Sequence, residues 1–199
     1  MKTQAGDLSK GLLLAVAILV VENVHGQVRQ DGPFVAYETM EMAMNEFKNF
    51  AGEAGYRFDS KYQIRFSIME VELTERHLSS KWEAAAISGK NVEGYMRGYE
   101  VHVDRFFAGN WYVSASLGYY EDTYRHIELD ESLENRTMTV GSGIGYSRSN
   151  LFGIRNLYFN FDIPVRYYFN PIEETMLGES TVRPHVVVNN VWIFLGWRF

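Results

Sequence analysis

The 199-residue chain contains no cysteine, and that absence excludes three kinds of protein. Without cysteine there is no disulfide framework, no thiolate metal site and no lipoprotein-type anchor. The chain also lacks a long apolar run beyond residues 11–21, which excludes a multi-helix membrane protein. Its formal net charge is −6 and its basic residues form no stripe, so we expect no nucleic-acid binding.

The single long apolar run, GLLLAVAILVV at residues 11–21, lies near the amino end. Lys2 and Lys10 provide a basic flank, and modest-sized residues (VHG) lie a few positions beyond the run, as at a cleavage site. The run is shorter than the roughly 20 residues that a membrane-spanning helix needs. We therefore predict a cleavable signal peptide over residues 1–26 and one mature domain over residues 27–199, in preference to an anchoring first helix.

Most of the remaining sequence alternates between apolar and other residues with a period of two. In residues 157–170 the row that contains Phe161 is apolar throughout, whereas Asp162 and Arg166 belong to the opposite row. Such alternation predicts strands with one apolar and one mixed face. So many large apolar side chains in one row favour a lipid-facing surface. The pattern recurs at residues 50–58, 62–68, 99–104, 111–119, 137–147 and 187–199.

The segment from residue 34 to residue 44 permits two interpretations. Met40, Met42 and Met44 alternate as in a strand, yet YETMEMAMNEF also fits a short amphipathic helix. We favour the strand, and including it gives about eight strands, the even number expected of a single-chain bacterial barrel.

Two irregularities modify the strand prediction. Ile68 lies on the apolar row of its segment, but Val71 and Leu73 lie on the other row, which predicts a bulge near residues 69 and 70. The segment of residues 137–147 carries glycine at three consecutive positions of its polar face, that is, at every second residue of the chain. We expect these glycines inside a narrow barrel, where bulky neighbouring side chains need room. They are Gly141, Gly143 and Gly145.

The connections between the segments alternate between short, tight turns and long, polar loops. Strands joined in this way predict an all-β fold, an antiparallel up-and-down transmembrane β-barrel of about eight strands. In such barrels the short turns face the periplasm, which would place both chain ends there. The tight turns are residues 59–61 and 108–110, with a somewhat longer one at residues 147–156, and the long loops are residues 76–92, 127–135 and 171–184. The short connection near residues 45 and 46 is the exception to this alternation.

Two short motifs carry a family resemblance: AGYRF at residues 54–58, before a tight turn, and GWRF at residues 196–199. With the signal peptide, they resemble the small outer-membrane barrels typified by the transmembrane domain of outer-membrane protein A, the OmpX/Ail group and the opacity proteins. The resemblance implies a location in the bacterial outer membrane. It also implies that the barrel assembly machinery reads Trp197 and Phe199, although Phe194 stands where that signal usually has a glycine.

The polar rows collect charged side chains, and a barrel of about eight strands encloses such rows in a lumen filled by side chains. Because an isolated buried ion is costly, we expect these groups to pair and to form an internal plug. A proton or ion path through Glu100, His102 and Asp104 is the alternative. The enclosed charged set comprises Glu53, Arg57, Arg65, Glu100, His102, Asp104, Asp122, Asp162, Arg166 and Arg198.

One pair of residues has enzymatic overtones, because His77 and Ser79 lie two positions apart and would share a face of a strand. Outer-membrane lipid A deacylases use a His-x-Ser arrangement, but here the pair lies early in the chain and no acidic partner beyond Glu75 suggests itself. An ordinary loop edge is the favoured interpretation. His102 and Asp104 lack an evident third ligand for a metal. We therefore predict no catalytic, cofactor-binding or metal-binding residue.

These observations favour an integral outer-membrane barrel, monomeric and not an enzyme, whose long loops give it a structural or surface-interaction role. Outer-membrane lipids and lipopolysaccharide are the expected partners. Two alternatives stay open: a lipid A-modifying enzyme of the deacylase kind, and a narrow small-solute channel. A soluble secreted barrel is a further alternative, and it would require the apolar rows to point inward.

Overall fold

The structure, a computed structural model, describes residues 31–44, 49–73, 85–88, 91–184 and 186–199. The predicted signal peptide lies outside these ranges and stays a prediction. No described helix is long and apolar enough to cross a membrane. The strands are β1 (Gly32–Glu38), β2 (Phe50–Phe58), β3 (Tyr62–Leu73), β4 (Ala85–Ser88), β5 (Val92–Ala108), β6 (Trp111–His126), β7 (Ser132–Ser149), β8 (Leu157–Tyr168), β9 (Thr175–Leu177), β10 (Ser180–Pro184), β11 (Val187–Asn189) and β12 (Trp192–Arg198), with a helix α1 (Met40–Met44) and a 3₁₀ turn (Leu151–Gly153).

Eight strands close into one antiparallel barrel. Each pairs with the next in the order β1, β2, β3, β5, β6, β7, β8 and β12, and β12 pairs back with β1. β11 also pairs with β8, and only Asn190 and Val191 separate it from β12, so these two segments share the eighth position in the ring. The predicted eight-stranded up-and-down barrel is confirmed.

The two ends of the barrel differ in their connections. The tight connections of residues 59–61, 109–110 and 150–156 lie at one end, named here the turn end, together with both ends of the described chain. The ends of β1, β3, β6 and β8 and the starts of β2, β5, β7 and β11 lie at the opposite end, the loop end. The β6–β7 connection is shorter than predicted, residues 127–131, because β7 already begins at Ser132.

The first segment contains both of the structures that its sequence allows. β1 ends at Glu38 and helix α1 begins at Met40, so the strand predicted for residues 40–44 is wrong. The Glu38 carboxylate accepts hydrogen bonds from the backbone N–H groups of Met40 (3.0 Å) and Met42 (3.3 Å). The first N–H groups of a helix lack partners within it, so this acid favours a helix over a longer strand.

Strand β3 contains no bulge. It pairs with β5 without interruption from Tyr62 opposite Arg105 to Leu73 opposite Gly94, so the bulge predicted near Met69 is wrong. In the last part of β3 the buried, inward side chains are apolar and the outward ones are charged. The parity change in the sequence therefore reflects a change of surroundings along an unbroken strand.

Strands β5, β6 and β7 have 17, 16 and 18 residues, against 7 to 12 for the strands β1, β2, β3, β8 and β12. A membrane-spanning strand needs about 9–11 residues, so the three long strands continue beyond the loop-end rim of their neighbours. At the same end, β4, β10 and β9 form a separate three-stranded sheet, named here the loop sheet.

The loop-end half of the lumen is filled by an apolar core. Both the barrel strands and the loop sheet contribute to it, and Val182 of β10 is 0% exposed. The loop sheet is therefore anchored to the barrel by burial of apolar side chains. The buried members of this core are Met69, Val71, Leu73, Met96, Tyr120, Tyr124, Tyr168, Ile172, Leu177, Val182, Trp192 and Phe194.

Candidate functional site

The apolar rows face outward around the middle of the barrel. Leu117 of β6 is 61% exposed, whereas Asp162 and Arg166 of β8 are 0% and 2% exposed. A soluble barrel would bury its apolar rows, so that alternative is wrong. Ile193 lies opposite Phe161 on the same outward face, but it is only 9% exposed because an outer-face cluster packs around it. The cluster comprises Tyr146, Leu151, Phe159 and Ile193, with Met40, Trp111, Leu157 and Phe161 packed against it.

These outward residues form an apolar belt of limited height. On β3 and β5 the belt begins at the Tyr62–Arg105 pair and ends at the Glu70–Arg97 pair, eight residues along the strand. At about 3.4 Å per residue and a tilt of about 40°, this length gives roughly 20 Å, close to the apolar band of about 25 Å in membrane barrels. The exposed side chains between these limits are Ile64, Phe66, Val101 and Val103.

A row of alternating charge crosses four neighbouring strands at the loop-end limit of the belt. Glu70, Arg97, Glu121 and Arg136 lie opposite one another on β3, β5, β6 and β7. Arg97 lies 2.8 Å from Glu70, and Arg136 lies 3.3 Å from Glu121. Arg97 also donates a hydrogen bond to the Tyr95 hydroxyl at 3.4 Å. The cations of this row are therefore neutralised within the protein.

The turn-end half of the lumen contains an ion network centred on Arg65. Its guanidinium contacts three carboxylates, Asp104 at 2.7 Å, Glu53 at 2.9 Å and Asp162 at 2.5 Å, and all four side chains are fully buried. The carboxylates belong to β5, β2 and β8, so the network joins strands across the lumen. The pairing predicted for these enclosed charges is confirmed.

A second, smaller network lies nearer the loop end. Arg166 donates two hydrogen bonds to Glu100, at 2.6 Å and 2.8 Å, and another to Asn190 at 2.8 Å. His102 Nε2 lies 3.2 Å from the same Glu100 carboxylate. Glu100 and Asp104 thus bind different arginines, and a path along Glu100, His102 and Asp104 stays a hypothesis.

The other charges predicted for the lumen are also enclosed. The guanidinium of Arg57 lies 3.6 Å from the centre of the Phe106 ring, and that of Arg198 lies 4.7 Å from the centre of the Tyr158 ring. Cations are stabilised over aromatic faces of this kind. Asp122 is buried in the loop-end half. Side chains therefore fill the lumen, as predicted for a narrow barrel.

The glycines of β7 face the lumen, as predicted, and make room for an aromatic ring. A Cβ at Gly145 would overlap the Tyr112 ring, whose hydroxyl donates a hydrogen bond to Asn160 at 2.8 Å. Gly141 and Gly143 likewise lie against inward side chains of neighbouring strands. These contacts fix which face of β7 points inward.

Two connections meet at the loop end. The backbone N–H of Gly178 donates to Glu131 at 2.9 Å, joining the β9–β10 turn to the β6–β7 connection. Ile127, Leu129 and Met176 are exposed on these two tips. Exposed apolar side chains rimmed by polar ones are typical of contact surfaces. The exposed acids around them are Glu128, Asp130, Glu131, Glu173, Glu174 and Glu179.

The residues considered for enzymatic activity, His77 and Ser79 with Glu75 as the acidic partner, lie outside the described residues, and their role stays a hypothesis. In the part of the chain that is described, no group of three or more His, Asp or Glu side chains could hold a metal ion.

A closed ring of eight strands, an apolar outer belt and a lumen filled by charged side chains define the class: the chain has the fold of an outer-membrane β-barrel protein. No protein-family model and no curated protein sequence matches the chain. Its fold is similar to a major outer membrane protein from Thermus thermophilus, with 12% identity, a TM-score of 0.50, and coverage of 85% of this chain and 99% of that one.

Two further solved barrels are similar at lower scores. The N-terminal β-barrel domain of Pseudomonas aeruginosa OprF has 14% identity, a TM-score of 0.41, and coverage of 87% of this chain and 100% of that one. Ail, the attachment invasion locus protein of Yersinia pestis, has 13% identity, a TM-score of 0.41, and coverage of 85% and 97%.

Proposed function

We propose that the chain is an integral protein of the bacterial outer membrane that acts through its loop end, in a structural or surface-interaction role, without enzymatic activity. The observation that carries this proposal is the filling of both lumen halves. Arg65 and its three carboxylates fill the turn-end half, and the apolar core fills the loop-end half. A filled lumen leaves the loop end, with its exposed Ile127, Leu129 and Met176, as the surface available to a partner.

In the proposed orientation the turn end and both chain ends face the periplasm, and the loop end faces the exterior. The tight turns and the longer loop-end connections support this orientation, since outer-membrane barrels have short turns on the periplasmic side. Trp197 and Phe199 are exposed near the turn end, where the barrel assembly machinery could read them. The belt would contact outer-membrane lipids and lipopolysaccharide as a monomer.

The orientation is tested by labelling single cysteines in intact cells with a large, membrane-impermeant maleimide, since the chain has no cysteine of its own. Glu128 is exposed at the loop end and Arg155 is exposed at the turn end. We expect labelling of the Glu128→Cys variant in intact cells, and labelling of the Arg155→Cys variant only once the outer membrane is permeabilised. Labelling of the Arg155→Cys variant alone in intact cells would show the opposite orientation.

The role is tested by two comparisons with cells and bilayers that lack the protein. We expect an unchanged lipid A mass spectrum and no stepwise conductance in a planar bilayer. A lipid A change that is lost in the Ser79→Ala variant would establish the deacylase-like alternative, and steady unitary conductance would establish the channel.

A further inference from the structure

A cavity of about 400 Å³ opens at the turn end, between the start of β3 and the end of β5. Residues 60–62 line one side and residues 105–109 line the other. The backbone N–H of Phe106 donates to the Lys61 carbonyl at 2.7 Å, which ties the two sides together. The regular pairing of the two strands begins beside it, with Tyr62 opposite Arg105. The cavity is therefore shaped by the register of the sheet.

Two cations line this cavity, Lys61 and Arg105. Within the described ranges neither has an ion-pair partner, in contrast to Arg97 and Arg136 at the other limit of the belt. Guanidinium and ammonium groups without an ion-pair partner can bind phosphate and carboxylate groups through charge-assisted hydrogen bonds. The cavity therefore has two cations that could bind an anionic ligand.

Two acids lie near the cavity, and neither is part of its lining. The Asp31 carboxylate accepts hydrogen bonds from the backbone N–H (2.8 Å) and the hydroxyl (3.3 Å) of Ser60, which hold it on this turn. Asp59 precedes Ser60 in the chain. The charged side chains of the lining itself are therefore both cations, Lys61 and Arg105.

The aromatic lining places the cavity at the edge of the apolar belt. Phe107 is 59% exposed, and Tyr62 stacks on Phe58 with ring centres 6.0 Å apart. Aromatic side chains of this kind collect where a bilayer meets water. The next outward pair along the strands, Ile64 and Val103, is apolar and exposed. A lipid whose acyl chains touch that pair would bring its headgroup to the cavity.

We propose that this cavity binds the phosphate group of an acidic phospholipid in the leaflet that surrounds the turn end. Arg105 and Lys61 contact the phosphate, and Phe107 packs against the glycerol and the first acyl carbons. The proposal rests on the proposed function, because it needs the belt to lie in a bilayer. The shared chemistry of the ligand is a phosphate group, whose other source would be a free anion.

The test uses the full-length barrel in zwitterionic detergent micelles, with bound lipid counted by native mass spectrometry. Phosphatidylglycerol, phosphatidylcholine and inorganic phosphate are added separately. Each basic residue near a membrane surface contributes about fivefold in affinity, so the Lys61→Ala/Arg105→Ala variant should bind phosphatidylglycerol roughly 25-fold more weakly. The control is Arg155→Ala, an exposed cation of another turn at the same end, which should retain binding within about twofold.

Retention of phosphatidylglycerol over phosphatidylcholine, lost only in the double variant, would support the proposal. Equal retention of both lipids, or an equal loss in Arg155→Ala, would overturn it by showing no site or only net charge. Displacement of the lipid by millimolar inorganic phosphate would also overturn it and assign the cavity to a free anion. Heat-modifiable migration of every variant in detergent gels tests the barrel itself, so its loss would implicate the proposed function instead.

Discussion

The two halves of the barrel interior bury their side chains by opposite means. In the turn-end half, Arg65 is buried among three carboxylates, Glu53, Asp104 and Asp162. In the loop-end half the same strands bury apolar side chains, of which Met69 on β3 is the first. The outward face changes in the opposite sense, from the apolar belt to the row that contains Glu70 and Arg97.

This inversion indicates which medium surrounds each half. In a bilayer the apolar side chains face the lipid and the polar ones turn inward, whereas in water apolar groups are buried. The unbroken pairing of β3 with β5 shows that the strands continue through the change. The outer surface of the turn-end half therefore suits lipid, and that of the loop-end half suits water. One continuous sheet forms both halves.

The largest effect is expected when the ion network loses its cation. Arg65→Leu would leave three buried carboxylates without their partner, and breaking a buried ion pair typically destabilises by about 3–5 kcal/mol. We expect a matching loss in the free energy of unfolding, measured by urea titration of the barrel in lipid vesicles. Arg155→Leu, in an exposed turn, is the control and should change it by less than about 0.5 kcal/mol. Equal effects of the two changes would contradict the account of the network.

A smaller and more local effect is expected in the loop-end half. Leu177→Ala removes a buried side chain that joins the loop sheet to the apolar core, at a typical cost of about 2–3 kcal/mol at a site that can partly collapse. Because the barrel strands keep their own contacts, residues 175–184 should exchange amide hydrogen faster while the rest of the barrel is unchanged. Met176→Ala is the matched control, since its side chain is exposed on the opposite face. Faster exchange throughout the barrel would show that the two halves are one cooperative unit.

The smallest of these effects is expected from added volume in the turn-end half. In Gly145→Ala the new methyl group would overlap the Tyr112 ring, and overpacking of this kind costs about 1–2 kcal/mol. Gly52→Ala is the control, because its Cβ would make ordinary contacts, the nearest at 3.4 Å from the Ala36 carbonyl oxygen. The urea midpoint should fall in the first variant only, and an unchanged midpoint in both would contradict the inward placement of Gly145.

The fold could be predicted from alternation wherever a strand crosses the belt. On β6, the parity of Leu117 identified the outward row, because lipid on one side and a narrow lumen on the other leave little choice of register. The same reasoning failed at Val71 and Leu73, because it assumed that the apolar row faces outward along the whole strand. Beyond the belt the apolar side chains of β3 face inward, so the apolar row changes parity without any bulge in the strand.

Contacts between distant parts of the chain were beyond prediction. The parity of Arg65 predicted its enclosure, but its choice of Asp162 as a partner depends on the closure of the barrel. The loop sheet joins Thr181 to Ser88, a pairing that no local pattern specifies. The turn-end cavity combines residues 60–62 with residues 105–109, and only the register of β3 and β5 brings them together.

The inversion is tested most directly by measuring, position by position, whether the outward face of β6 contacts lipid or water. The chain has no cysteine, so single cysteines at outward positions from Val113 to Arg125 can each carry a spin label in lipid vesicles. Collisions with oxygen, which prefers the bilayer, should dominate up to Leu117. Collisions with a water-soluble nickel complex should dominate from Glu121 onward. Dominant nickel collisions at Leu117, or oxygen preference that persists through Arg125, would contradict the account.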